Sequence, residues 1–409
     1  MRVAIVIPHV WPDPGGAEVQ AWVLARALAA RLGTCDLVTS RHDCTRPAAE
    51  IVAGVRVVRL PSTRFELARR LVNGVSAFVH FMRHAPEYDV IYGHCLSLFV
   101  LGALLAAHLR GRPVVLKPCT VGADGDVAKV CGRPGGSLLW RIVERADRFM
   151  AESSAVANDL AAAGIDASRI ATVPNVPSRP GLGKVALAEC DPVTRAARRT
   201  AARRDLGLPD RLTILFVGRL VAGKGLEVLV PAFARVAHDV DVSLVVVGDG
   251  PERAALAAAV AEAGLGDRVV LPGWLSEPDR YYEASDVLAH PSRSEAFANV
   301  LLEAMTAGLA IVTSPVGLAV DHLRDGESAL IVPAADTDAV ASALGRLAVD
   351  EALRSRLGAT ARQIATEAFD AERALDRCLA ELERARAGRT AQRGAGNASA
   401  GHNASRLSS

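Results

Sequence analysis

Short apolar runs alternate with helix-patterned stretches twice over in this chain, and no other feature limits the fold as much. Residues 2–7, 36–39, 55–59, 90–92, 114–116, 148–151 and 170–173 read as strands. Helical patterns such as 65–82, 97–109, 137–145 and 153–163 stand between most of them. After Arg2 the first run is wholly apolar through Ile7, as a central parallel strand covered on both faces must be. A second series follows, with strands at 213–217, 243–247, 269–271, 286–290, 310–313 and 329–332 beside further helices. Such alternation predicts an α/β protein built from doubly wound parallel sheets. At 409 residues the chain exceeds one ordinary core, so two Rossmann-like domains facing a central cleft are expected. In these folds ligands bind outside the carboxyl ends of the strands.

The breaks in the rhythm set the boundaries. Residues 1–178 form the first domain, 179–211 a linker containing a short basic helix over 195–204, and 212–369 the second domain. A helix at 370–387 is expected to cross back to the first domain, and 388–409 to be a disordered tail with too few apolar residues to pack. Half of the residues are apolar, 22% are charged and the net charge is only +2, which argues against a nucleic-acid binder or a disordered chain. Aromatics at 4% leave little for base stacking. Seven cysteines without a C-x-x-C pair read as scattered thiols in a reducing compartment. No leader of signal-peptide form is present, and the apolar run 95–109 falls short of a membrane span. A cytoplasmic protein is expected, with attachment to the inner face of a membrane left open.

The chemistry concentrates in residues 292–317, SRSEAFANVLLEAMTAGLAIVTSPVG. Glu295 lies in the loop after a strand ending near Pro291, and Glu303 about two turns into the next helix. Amides of Ala298, Asn299 and Val300 fall where that helix starts, a place that favours an anion. Upstream, strand 213–217 runs into Gly218-Arg219-Leu-Val-Ala-Gly223-Lys224-Gly225, whose two cations suit a diphosphate. The segment matches the start of a P-loop, but Gly225 stands where the magnesium-binding hydroxyl belongs. Gly248-Asp-Gly250 lacks the third glycine of a dinucleotide fingerprint. Asp124-Gly-Asp126 is read as a turn with solvated carboxylates, so no metal is assigned. Gly16, after the first strand, permits close backbone approach to a ligand, and His94, after the fourth, can donate to a ligand oxygen.

Together these residues resemble the retaining glycosyltransferases of family 4, of GT-B architecture. GRLVAGKG looks like that family's diphosphate motif and SEAFANVLLEAM like its paired-glutamate motif. The resemblance implies that Arg219 and Lys224, beside Gly218, neutralise the nucleotide's diphosphate. It implies that Glu295 and the backbone of Phe297, Ala298, Asn299 and Val300 hold sugar and phosphates, while Glu303 takes the ribose. Gly16 would cover the phosphates, and backbone near Trp274 and Leu275 would receive the base. His94 and Lys117 mark the acceptor side; the family's usual histidine is replaced at Lys117-Pro-Cys119-Thr120, and its usual glycines at Ala296 and Ala298.

The expected activity is a retaining, metal-independent hexosyl transfer from a UDP- or GDP-linked sugar to a hydroxyl of a glycan, lipid or small metabolite. Arg219, Lys224 and Glu295 would carry it, with no cofactor and no nucleic-acid partner. The alternatives are a GT-B epimerase or phosphorylase, or a non-catalytic sugar-nucleotide-binding module. Arg64, Arg69 and Arg70 beside Phe65, Leu67, Leu71, Val72 and Phe78 also raise a contact with an anionic membrane. An ordinary sheet-covering helix with solvated arginines is the favoured reading of that stretch.

Overall fold

The computed structural model describes residues 1–10, 15–42, 45–123, 125–175 and 192–404, with side chains at 66, 67, 192, 193 and 391–404 excepted. The first part of the expected linker, Asp124 and part of the loop before Gly16 therefore lie outside the described residues. The chain divides into two compact units. Met1–Asp13, Ala17–Val176 and Glu372–Ser409 make the first; Pro14–Gly16 and Pro177–Ala371 make the second.

The first unit holds β1 (Val3–Val6), β2 (Cys35–Arg41), β3 (Ala49–Val52), β4 (Val55–Pro61), β5 (Val90–His94), β6 (Val114–Lys117), β7 (Arg148–Ala151) and β8 (Ile170–Thr172). They lie in the order β3-β4-β2-β1-β5-β6-β7-β8, parallel throughout except where β3 pairs antiparallel with β4. β1, β5 and β6 are buried along their whole length, which accounts for the apolar residues that precede His94 in β5 and Lys117 in β6 and fill β1. β3 was not expected. Its turn, Ala53-Gly54, has both residues at positive φ, and an alanine there does not announce a hairpin as asparagine would. Helix Glu66–His84 lies on helix Leu98–Leu109 so closely that a Cβ at Gly102 would fall 2.1 Å from the Gly74 carbonyl oxygen.

The closing helix, Ala371–Ala404, sets Leu375, Cys378, Leu382 and Ala385 into the same core as Val3 and Ile5. Its buried Glu381 accepts from Arg148 at 2.7 Å. It continues to Ala404, well past Gly388, where an unstructured tail was expected. Five alanines in 391–404 favour that continuation, while Gly394, Gly396 and Gly401 weaken it.

The second unit holds β9 (Leu212–Val217), β10 (Val242–Val247), β11 (Val269–Gly273), β12 (Val287–His290), β13 (Ala310–Thr313) and β14 (Leu330–Ile331). Their order is β11-β10-β9-β12-β13-β14, and every pair is parallel. Alternate residues feed two cores, Ile214, Phe216, Leu244 and Val246 on one face and Leu215, Val245, Leu288 and Ile311 on the other. Truncating any one of these leucines to alanine would cost roughly 2–5 kcal/mol. Helix Pro192–Asp205 carries the basic run, and its arginines do not simply face water. Arg199 and Arg203 both engage the carboxylate of buried Asp286, which also accepts from the Thr213 amide at 2.8 Å.

Candidate active site

The order of the second sheet reverses between β9 and β12, so their following loops flank the place where doubly wound sheets bind ligands. Those loops are laced together. The Gly223 carbonyl accepts from the Arg293 amide at 2.8 Å and from Ser292 Oγ at 3.2 Å. Gly225 has φ +79°, and a Cβ on it would stand 2.1 Å from the Pro291 carbonyl oxygen. A hydroxyl-bearing residue therefore has no room where a P-loop would need one.

This lacing brings Lys224 onto Glu295. The ammonium Nζ lies 2.5 Å from Glu295 Oε1, and His290 Nε2 lies 3.0 Å from the same oxygen. His290 ends β12, is buried, and stacks on Phe216 with ring centroids 6.3 Å apart. Burial raises the Glu295 pKa, but the hydrogen bond and charge of His290 and the charge of Lys224 outweigh it and bring the carboxyl to about 2. The result is a carboxylate held ionised, with a cation beside it.

Ala298 precedes helix Asn299–Ala307 in the left-handed region, φ 65° and ψ 70°, and no side chain caps the helix start. That conformation is why glycine suits this position better than alanine. Phe297 is buried against Phe369, at 5.8 Å, and its carbonyl accepts from the Leu318 amide at 2.9 Å. Asn299 and Val300 are half-buried at the first turn. Glu303, one turn on, is fixed by the buried Tyr282 hydroxyl, which donates to Oε2 at 2.6 Å.

Gly218 donates to the Val247 carbonyl at 3.0 Å, and neighbouring Arg219 is exposed with no ion-pair partner among the described residues. Trp274 is exposed and Leu275 half-buried, just past β11. The structure thus gathers Gly218, Arg219, Lys224, Trp274, Leu275, Glu295, Phe297–Val300 and Glu303 at the carboxyl ends of β9, β11 and β12. Sequence reading missed His290 and Tyr282. His290 had a visible signal, a histidine ending a buried strand five residues before Glu295. Tyr282 had none, because its contact with Glu303 joins two helices.

Gly16 opens helix Gly16–Leu32, whose remaining residues belong to the first unit. His94 and Lys117, expected at the acceptor side, sit opposite each other across β5 and β6, and both are buried. Lys117 is engaged by Asn175 and by Glu152, whose Oε2 is 3.0 Å away. Burial opposes its charge, but Glu152 prevails and raises the ammonium pKa. His94 and Lys117 both line a cavity of about 20 Å³, far too small for a sugar. Asp126 is no solvated turn carboxylate either: it accepts from the Leu96 and Cys119 amides at 3.2 and 2.8 Å and from Thr120 Oγ1 at 2.9 Å.

A roomier pocket, about 850 Å³, lies where β7 begins, lined by Arg145, Arg148, Arg169, Arg384 and Arg389. Arg148 is committed to Glu381, Arg169 to the Glu144 and Ala146 carbonyls, and Arg389 to Asp147. It sits at the amino end of the strand and brings no pair comparable to Lys224 and Glu295. On helix Glu66–His84, Leu71 and Val75 are 68% and 53% exposed and Val79 lies on the same face, with Phe65 exposed just before the helix. Arg64 and Arg70 are exposed nearby, so the outward face is apolar as well as basic. Among the described residues no helix is long and apolar enough to cross a membrane.

Comparison with known proteins gives a consistent result over both units. The family described as Glycosyl transferases group 1 matches residues 198–364, and Glycosyltransferase Family 4 matches residues 14–176. A D-inositol 3-phosphate glycosyltransferase of Xylanimonas cellulosilytica is 32% identical over 392 residues, covering 88% of this chain and 91% of the relative. That of Acidothermus cellulolyticus is 32% identical over 399 residues, covering 87% and 84%. Among solved structures, Anabaena HepE in complex with UDP-glucose superposes with a TM-score of 0.76 at 19% identity, covering 94% of this chain and 99% of that one. Sucrose-phosphate synthase from Thermosynechococcus elongatus gives 0.75 at 24% identity, covering 94% and 98%.

Proposed function

Because the chain belongs to the family 4 glycosyltransferases and has their GT-B fold, we propose that it moves a hexosyl group from a nucleoside diphosphate sugar to an acceptor hydroxyl, with retention at the anomeric carbon. The observation that carries this reading is the Lys224–Glu295 pair at the reversal point of the second sheet. In the transfer, the bond from the anomeric carbon to the β-phosphate oxygen breaks and a bond to the acceptor oxygen forms. The acceptor's proton leaves with the diphosphate. Lys224, Arg219 and the first-turn amides of helix Asn299–Ala307 stabilise the charge that develops on the leaving group, an electrostatic task that needs no metal or cofactor. Glu295, kept ionised, orients the sugar hydroxyls. Glu303, steadied by Tyr282, takes the ribose.

UDP-linked sugars are the first donors to try, since HepE binds UDP-glucose, with GDP-linked sugars next. The relatives' name makes a small phosphorylated polyol the leading acceptor. The experiment incubates the protein with UDP- and GDP-sugars, with and without inositol 3-phosphate, and examines products by mass and by NMR. A product of inverted configuration removes the retention claim. Epimerised donor without acceptor would favour an epimerase, and bound but unconsumed nucleotide a binding module.

The exposed Phe65, Leu71, Val75 and Val79 with Arg64 and Arg70 support a second element of the reading, peripheral contact with the inner face of an anionic membrane by a cytoplasmic enzyme.

A further inference from the structure

Three metal-ligating groups meet in the first unit, and none of them is among the residues assigned to the transfer chemistry. A ring nitrogen of His94, Sγ of Cys95 and Sγ of Cys119 all lie within 4.8 Å of one another. The sheet brings them together. His94 ends β5 and pairs with Lys117, the end of β6, so the loops carrying Cys95 and Cys119 leave side by side. The Cys95 amide donates to the Lys117 carbonyl at 2.9 Å. Asp126 ties the same two loops through the Leu96 and Cys119 amides, so the frame is fixed by contacts that do not use the three ligating atoms.

The second observation is independent of that proximity. His94 is 1% exposed, and neither of its ring nitrogens has a hydrogen-bond partner among the described residues. Native interiors rarely keep a buried polar side chain wholly unsatisfied, and such a group calls for a partner.

We infer that His94, Cys95 and Cys119 bind a soft divalent cation of the zinc class. The donor set, two sulfurs and one imidazole nitrogen, excludes magnesium and calcium, which take oxygen ligands. On binding, both thiols release their protons to solvent, two sulfur–metal bonds and one nitrogen–metal bond form, and nothing is oxidised or reduced. Two thiolates cancel the charge of the cation, so the buried complex is neutral and escapes the penalty of an unpaired charge. Tetrahedral zinc at about 2.3 Å from sulfur sets ligand atoms about 3.8 Å apart. The three groups must therefore close by about 1 Å, within reach of side-chain rotation. The cavity of about 20 Å³ that His94 also lines has room for one water, a partner for the ring nitrogen the metal leaves. Three protein ligands leave a fourth position for water or another donor.

The test uses the full chain, purified reduced and stripped of metal, and titrated with cobalt(II) as a coloured stand-in for zinc. One equivalent is expected to produce thiolate-to-cobalt charge-transfer absorption, which zinc then abolishes. Zinc is also expected to raise the melting temperature. The absorption should disappear in Cys95→Ser and in Cys119→Ser, weaken at least tenfold in apparent affinity in His94→Ala, and persist in Cys131→Ser, whose thiol is exposed elsewhere. Circular dichroism melts of each variant separate a lost ligand from a lost fold. Should a serine variant not fold, covalent blocking of the thiols in the folded wild type, with and without zinc, gives the answer instead: zinc must protect two of them. Charge transfer that survives in a folded Cys95→Ser/Cys119→Ser variant overturns the proposal. So does a cooperatively folded wild type that takes up no cobalt and shows no zinc protection, or one that joins the two thiols in a disulfide without ever binding metal.

Discussion

Lys224 Nζ lies 2.5 Å from Glu295 Oε1, so the cation proposed to meet the diphosphate and the carboxylate proposed to hold the sugar neutralise each other. A donor must exchange this internal pair for its own contacts, phosphate to the ammonium and sugar hydroxyls to the carboxylate. His290 is what makes the exchange affordable, because Glu295 keeps one partner when Lys224 turns to the phosphate.

Lys224→Ala is expected to reduce kcat by 10²–10³-fold, about 3–4 kcal/mol, since the lost charge acts on the developing diphosphate. Arg219 is exposed and better screened, so Arg219→Ala should cost less, about 1 kcal/mol. Steady-state rates at saturating donor measure both. Wild-type turnover in Lys224→Ala would make the diphosphate assignment wrong.

Glu295 also makes a pH prediction. Its carboxyl falls from 4.5 to about 2 on folding, so between those values the unfolded chain binds more protons than the folded one. The stabilisation is complete above the unfolded value and is lost as pH falls through the folded value. It amounts to roughly 3 kcal/mol at most. Glu295→Gln should therefore show a flatter dependence of stability on pH between about 4.5 and 2 than the wild type, by denaturant titration at each pH. Equal slopes in the two proteins would mean the carboxylate is not held as described.

Tyr282→Phe removes only the hydroxyl that fixes Glu303, since the ring is fully buried and phenylalanine keeps its packing. Losing a hydrogen bond to a carboxylate is worth about 1–2 kcal/mol. Donor KM should rise roughly 5- to 30-fold with kcat nearly unchanged. A fall in kcat at constant KM would contradict a ribose role for Glu303.

Most of both sheets was legible because parallel strands buried on two faces write themselves as apolar runs, from Val3–Val6 to Ala310–Thr313. β3 escaped because only its edge pairing with β4 makes it a strand. The donor-side loops were legible through glycines, cations and carboxylates at fixed spacing. What joins them was not: Lys224 to Glu295 crosses 71 residues, Tyr282 to Glu303 links two helices, and Arg203 to Asp286 spans 83. The basic run over 195–204 read only as a short basic helix in a linker, because its buried acidic partner is remote in sequence. His94 and Lys117 were expected to face an acceptor, yet the register of β5 and β6 buries both.

Ala298 offers a stabilising substitution. A left-handed alanine costs about 1–2 kcal/mol, and glycine returns about half of that gain as unfolded-state entropy. Ala298→Gly should stabilise the second unit by about 0.5–1 kcal/mol, a rise of about 2 °C in Tm by calorimetry. A lower Tm would mean that the buried methyl group contributes more than the strain costs.

The outward face of helix Glu66–His84 makes the last prediction. Leu71, Val75 and Val79 recur every four residues and so share one face, with Phe65 before them. Apolar side chains left this exposed gain on entering the headgroup boundary, each worth about 1 kcal/mol when half of its surface is buried. Exposed Arg64 and Arg70 add about 1 kcal/mol each at an anionic surface, a term that salt screens. The wild type should therefore sediment with phosphatidylglycerol vesicles at low salt, weaken at high salt, and bind neutral vesicles less. Leu71→Glu/Val75→Glu should stay in the supernatant under all three conditions, with its activity on a soluble acceptor intact because none of the residues proposed to hold the donor is on this helix. If the wild type also stays in the supernatant at low salt, the stripe has no membrane role.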